Sequence, residues 1–406
     1  MVLQQDRVPG RHQGRRRRGR PHPGAAVLRR HVPAPVAEYV AGIASKTLNH
    51  AEVRRIAVAA QGLHLPGEAA PAVLARLGCI QIDSMSAVRR SHELVLLSRG
   101  VPAGDPEPGR CFEGMAHALS LIDIELWPAF GFRRRQVLAN GWRGPEVDMA
   151  AVAVARERLS AEGRVRLRDF GAMTGTGWER DSPFRWALEW LAATGGAVCA
   201  ERDRWERVYA LPELVIPPAI LAAQPHDQDC VRELCRRAIQ ALGVASTADV
   251  ADYFRMRPAE AQAGLASLGL IQAEAEGWRH PAWLAPGADP AVEIDDDRVT
   301  PLSPFDSLLW TRDRLRRIWG KDYRLEAYKP AAKRTFGYFA LPVLAGSEIA
   351  GRVACRRRAG VLAVENTELD QHFPRSVLDR AVTTLAAWTA SDAVTTASRG
   401  PRRSAR

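Results

Sequence analysis

Val231-Arg232-Glu233-Leu234-Cys235-Arg236-Arg237-Ala238-Ile239-Gln240-Ala241-Leu242 sets its apolar residues three and four apart, and Gly243 closes the run. Residues at that spacing share one face of a helix, so Val231–Leu242 reads as an amphipathic helix. Ser246-Thr247-Ala248-Asp249 follows as a capping box, with a hydroxyl and a carboxylate placed to satisfy the free amides of a helix start. Pro258–Leu268 reads as a further helix and Leu270–Trp283 as a short hairpin. Helices followed by a two-stranded wing is the order of the winged-helix form of helix-turn-helix.

Upstream, residues 148–216 run through the same order. A helix (Ala151–Ala161) precedes Val165–Phe170, a second helix (Pro183–Ala193) and a hairpin (Ala197–Leu211) turning at Asp203-Arg204. Further back, Asn49 and Glu52 form a capping box for a helix ending near Gly62, and Pro71–Leu77 reads as another helix. Cys79-Ile80-Gln81-Ile82-Asp83 then alternates as a strand does. Downstream, Tyr323–Tyr328, Thr335–Leu344, Glu348–Cys355 and Gly360–Val364 read as strands of a small barrel or sheet, before a helix at Arg375–Thr389.

The net charge of +11 is unevenly spread. Residues 1–30 hold nine Arg and one Asp, residues 399–406 hold four Arg and no acid, and residues 31–398 net −1. The high isoelectric point therefore belongs to the two ends. Within the body, Trp310–Arg358 carries thirteen Lys or Arg against four acids, which suits a phosphate-binding face. Arg outnumbers Lys by 53 to 4, so part of that signal is compositional. The six cysteines form no Cys-x-x-Cys and no zinc spacing, and scattered thiols suit a reducing cytoplasm. No apolar run is long enough to span a membrane.

Several separated motifs carry a resemblance. They are Leu77–Asp83 with Val88-Arg89-Arg90-Ser91-His92, Glu113–Ala118, Arg207–Pro212, Leu302-Ser303-Pro304-Phe305-Asp306 with Leu309-Trp310-Thr311-Arg312, Tyr323–Glu326, and Tyr328-Lys329-Pro330-Ala331. Together, from about Leu48 to Glu368, the chain resembles the winged-helix DNA glycosylase family of YcaQ and AlkZ. The resemblance implies an α+β fold of three tandem winged-helix modules followed by a small C-terminal β-barrel. The expected limits are 47–147, 148–222 and 223–292 for the modules and 293–392 for the barrel and terminal helix. A disordered Arg-rich extension (1–46) and a disordered basic tail (393–406) flank them. The short motif Gln81-Ile82-Asp83 is similar to that of the Gln-hydrophobic-Asp branch (YcaQ, also called AlkX), which implies N7-alkylguanines and interstrand crosslinks as substrates. Met115 stands where the family often has Trp, and Ala354 where it usually has an acid.

The chemistry suits these residues. Alkylating N7 of guanine makes the base cationic and a good leaving group, so the main demand is a carboxylate beside the sugar carbon as it becomes oxocarbenium-like. Strand alternation would put Gln81 and Asp83 on one face, with Asp83 stabilising charge and activating a water that Gln81 holds. The bland alternative is that Asp83 caps the turn at Ser84. No Lys lies near the motif in sequence, which argues against a Schiff base. Arg89, Arg90, His92 and His117 are candidate DNA contacts, as are Arg312, Arg314, Lys329, Lys333 and Arg334 on the barrel; Phe305 and Asp306 read as structural. No metal or cofactor is expected. The expected partner is double-stranded DNA carrying alkylated bases, and the expected state is a cytoplasmic, nucleoid-associated monomer, there being no heptad dimerisation helix. A non-catalytic winged-helix regulator is the competing reading.

Overall fold

The computed structural model describes residues 47–65, 67–102, 109–142, 144–171 and 182–396. The expectations for residues 1–46 and for the tail beyond 396 lie outside them. The first described helix, α1 (His50–Ala60), begins with the anticipated box: Glu52 N donates to Asn49 Oδ1 and Asn49 N to Glu52 Oε2, both at 2.9 Å. α2 (Ala70–Leu77) ends on Gly78 at φ 72°, where a Cβ would press to 3.3 Å on Leu126 and Phe254. That tight turn delivers the chain into β1 (Cys79–Gln81), followed by α3 (Ser91–Leu97), β2 (Cys111–Met115) and β3 (Leu119–Asp123).

The next stretch contains α4 (Gly131–Asn140), α5 (Met149–Glu162), β4 (Arg164–Arg166), α6 (Pro183–Thr194), β5 (Val198–Asp203) and β6 (Glu206–Ala210). A third holds α7 (Pro218–Ala222), α8 (Asp227–Leu242), β7 (Val244–Ala245), α9 (Thr247–Tyr253), α10 (Pro258–Ala266), β8 (Gln272–Ala273) and β9 (Ala282–Leu284). In all three the strands lie in the order first-third-second: β1-β3-β2, β4-β6-β5 and β7-β9-β8. β2 also pairs with β5, fusing the first two sets into one six-stranded sheet. The apolar face of α8 packs with Phe112, Phe130, Tyr253 and Phe254 in the largest core.

The C-terminal part comprises β10 (Val299–Pro301), α11 (Arg312–Trp319), β11 (Ala340–Ala345), β12 (Glu348–Arg358), β13 (Val361–Leu369), α12 (Ser376–Trp388) and β14 (Ala393–Thr396). Here the expected barrel is present as a curled half-barrel. The sheet runs β10-β11-β12-β13-β14 and curls, but β10 and β14 are open edges that do not pair. The reason is α12, whose Val377, Leu378, Ala381 and Leu385 cover Leu341, Val343, Val353 and Leu362 and bury the face that closure would otherwise enclose. β14 runs parallel to β13 over residues expected to be tail. Tyr323–Tyr328 forms no strand, and Arg312–Trp319 is an unanticipated helix. A buried ion pair joins the C-terminal part to the first: Arg99, just past α3, grips Asp306 at 2.7 and 3.2 Å, and both residues are 0% exposed.

Candidate active site

β1 leaves the core residue by residue. Cys79 and Ile80 are buried, Gln81 is half-buried, Ile82 is buried, and Asp83 is again half-buried. The alternation expected of the motif is present, although the strand ends at Gln81. Ile82 N still donates to Leu119 O at 2.8 Å, and the chain then turns. Asp83 Oδ1 caps that turn, accepting from Met85 N at 2.8 Å. The capping role weighed from the sequence thus occupies one carboxylate oxygen. The other faces outward, 3.4 Å from the Tyr328 hydroxyl, which donates to it. Among the described residues the Gln81 side-chain amide has no protein partner, while the Gln81 backbone carbonyl accepts from Ser91 Oγ.

The sequence reading has Tyr328 only in the Tyr328–Ala331 motif, not among the site residues. It is 74% exposed and rides on the loop after Glu326. Glu326 is buried and gathers that loop: it accepts from Lys329 Nζ at 2.7 Å, from Thr335 N and Oγ1 at 2.8 Å, from Phe336 N at 2.8 Å and from Gly337 N at 3.5 Å. The Lys329 ammonium and these hydrogen bonds hold the Glu326 carboxyl well below the usual carboxylate range. Shielding of its hydroxyl end, then the Asp83 carboxylate, push the Tyr328 phenol up. A carboxylate and an exposed aromatic ring are therefore presented side by side by two parts of the chain 245 residues apart.

The expected DNA contacts separate into two groups. Arg312, Lys329 and Lys333 are exposed, though Lys329 is ion-paired to Glu326 at 2.7 Å. Arg334 is half-buried, with Nε on Lys329 O at 2.9 Å and its guanidinium 4.8 Å from the Tyr338 ring centre. Others are turned inward. Arg314 is 2% exposed and donates to Leu242 O and Val244 O, both at 2.9 Å, because helical phase puts it with Leu315 and Ile318 on the packed side of α11. His92 is 3% exposed and stacks 5.9 Å from Trp205. Neither Arg314 nor His92 is placed to meet phosphate. His117 lies flat on Trp310 at 4.2 Å; its Nδ1 is 3.1 Å from Asp252 O and its Nε2 3.1 Å from Arg255 Nη2, and burial holds its pKa below the usual value. It ties the β2–β3 turn to the end of α9 and to Trp310 rather than facing solvent. Arg89 donates to Trp388 O at 2.6 Å, and the Arg90 guanidinium covers Trp205 at 3.3 Å.

Trp205 is a second feature that sequence reasoning passed over. It sits at the β5–β6 tip with Arg204, at φ 75° and 49°, the left-handed pair that a two-residue hairpin turn requires. Arg202 covers its ring at 4.2 Å and also donates to Glu113 Oε2 at 2.7 Å. The hairpin tip is thereby fastened to Arg90, seven residues beyond Asp83.

Residues 74–388 match the family described as DNA glycosylase AlkZ-like. The chain belongs to the AlkZ-like DNA glycosylase family. Membership makes it a DNA glycosylase, an enzyme of DNA repair that acts on DNA, and sets aside the non-catalytic regulator. The fold is similar to that of the Streptomyces sahachiroi DNA glycosylase AlkZ, with a TM-score of 0.58 and 13% identity, covering 86% of this chain and 99% of that one. At that identity the likeness speaks to the fold alone. In this AlkZ-like glycosylase Lys329 follows Tyr328, whose hydroxyl lies 3.4 Å from Asp83, so a lysine comes closer to the motif than their separation in sequence suggests. Its ammonium is ion-paired to the Glu326 carboxylate at 2.7 Å. Among the described residues no three His, Cys, Asp or Glu side chains gather into a metal site.

Proposed function

We propose that this glycosylase is monofunctional and hydrolyses the N-glycosidic bond of cationic alkylpurines, with N7-alkylguanine as the simplest case and interstrand crosslinks as an extension. Asp83 stabilises the developing oxocarbenium ion and activates a water, and Gln81 positions that water. The observation that carries this reading is the outward Asp83 carboxylate oxygen lying beside the exposed ring of Tyr328. A carboxylate facing a cationic sugar carbon at 4 Å gains about 1 kcal/mol in water and about 4 kcal/mol at an intermediate dielectric. An aromatic face attracts a charged base more than a neutral one, which favours a cationic lesion. The Gln81-Ile82-Asp83 pattern supports placement in the Gln-hydrophobic-Asp branch.

The three first-third-second strand sets support three winged-helix modules with limits near 47–147, 148–222 and 223–292, before a C-terminal part over 293–392. Arg312, Lys329 and Lys333 are the proposed phosphate contacts of that part, and the enzyme is proposed to act as a monomer. The test compares duplexes carrying one N7-methylguanine or one uracil, each scored for abasic product after alkali. Release from the cationic base alone is the expected result; equal release of uracil would overturn the substrate assignment.

A further inference from the structure

We infer that the groove immediately beyond Asp83 is a subsite for one backbone phosphodiester of the lesion-bearing strand; this rests on the glycosylase reading above. The groove, of about 420 Å³, has the Ser84–Ala87 turn as one wall and Tyr338, Arg356 and Arg357 as the other. The walls are spliced together, since Arg357 N donates to Ala87 O at 2.8 Å and so fixes the end of β12 against the turn. Because an extended chain covers at most about 3.6 Å per residue, Ser86 lies within roughly 11 Å of Asp83. The groove is thus within a nucleotide's reach of the scissile bond.

Its chemistry selects an anion. Ser84 and Ser86 are exposed hydroxyl donors, with no partner for either side chain among the described residues. The two arginines differ. Arg356 is compensated, with Glu365 3.2 Å from Nε and its guanidinium 5.1 Å from the Tyr338 ring centre. Arg334 lies over the same ring at 4.8 Å, so Tyr338 is flanked by two guanidinium groups. Arg357 is exposed and has no carboxylate within ion-pair distance among the described residues. An uncompensated guanidinium and two free hydroxyls lining one groove suit a phosphodiester, which offers two anionic oxygens to a forked donor. A neutral base would leave the Arg357 charge unanswered. The sequence reading counts Arg356 and Arg357 only within the basic block Trp310–Arg358 and singles out neither of them nor Ser86 as a contact, while Ser84 enters only as the turn that Asp83 caps.

The experiment scans neutral methylphosphonate linkages, one position at a time, around a single N7-methylguanine in a duplex, measuring binding and base release separately. Wild-type enzyme is expected to lose roughly 10- to 100-fold in affinity at one linkage, the range for a charge-assisted hydrogen bond. Arg357→Ala is expected to show the same loss on unmodified duplex and no further loss at that linkage, with its salt slope reduced by about one. Ser84→Ala/Ser86→Ala should share the same insensitive position. If the linkage effect persists undiminished in both variants, the subsite is overturned. If wild-type enzyme binds but releases no base from any duplex, the glycosylase reading fails instead.

Discussion

Replacing Asp306 with Asn tests how the two halves of the site are held together. The Asp306 carboxylate receives two hydrogen bonds from Arg99, at 2.7 and 3.2 Å, and one from Leu308 N at 3.0 Å. The three remaining Arg99 donors serve Gln61 O, Gln61 Oε1 and, shared from one Nη1 hydrogen, Val95 O and Ser98 Oγ, at 2.8 to 3.0 Å. Every donor is satisfied, and neither residue is exposed. Asn keeps the shape and the Leu308 contact but leaves the Arg99 charge buried without a counter-ion. Breaking a buried pair from one side costs about 3–5 kcal/mol. With a urea slope of about 3 kcal/mol/M, the midpoint should fall by roughly 1 M. Asp313→Asn, which breaks an exposed pair with Arg316, should cost about 0–1 kcal/mol. Arg99→Met/Asp306→Leu should cost less than Asp306→Asn, because it removes both charges. An Asp306→Asn midpoint indistinguishable from that of Asp313→Asn would show that the pair is not dry and refute the reasoning.

Three further outcomes follow from the site. Tyr328→Ala should weaken binding of a lesion duplex by about 1–3 kcal/mol, the cost of losing a base-stacking ring, while Tyr328→Phe should lose far less; equal binding by all three proteins would remove the ring from the interface. Burial keeps His117 neutral beside Asp252 and Arg255, so the unfolded chain takes up a proton near the usual pH 6.5 before the folded one does. Stability should therefore be level above that pH and decline below it, with a shallower decline in His117→Gln; identical pH profiles by urea titration would contradict that tie. Borohydride added during the reaction should trap no protein–DNA adduct, and an adduct mapping to Lys329 would disprove the monofunctional reading.

What the sequence made legible was local. The apolar spacing of Val231–Leu242 and the capping boxes at Asn49 and Ser246 announced helices that the structure contains. The Ile80–Asp83 alternation showed which side chains emerge. What stayed hidden depends on distant residues. Arg314 sits among three other arginines of α11 and looks solvated, yet helical phase buries it against α8 and β7. His92 follows two arginines and looks equally exposed, but Trp205, more than a hundred residues on, covers it. Tyr323–Tyr328 has the aromatic content of a strand, whereas Glu326 bends it by gathering amides as far away as Gly337. The helix at Arg375–Thr389 was legible from its local pattern, but not that it would cover one face of the C-terminal sheet.

Single-turnover base release from an N7-methylguanine duplex by Asp83→Asn probes the reaction centre most directly, provided duplex binding is measured on the same preparation. The expected result is a rate lowered by roughly 10²- to 10⁴-fold, as for loss of a general base, with affinity retained. Release at the wild-type rate would mean that the carboxylate beside Tyr328 takes no part in breaking the bond.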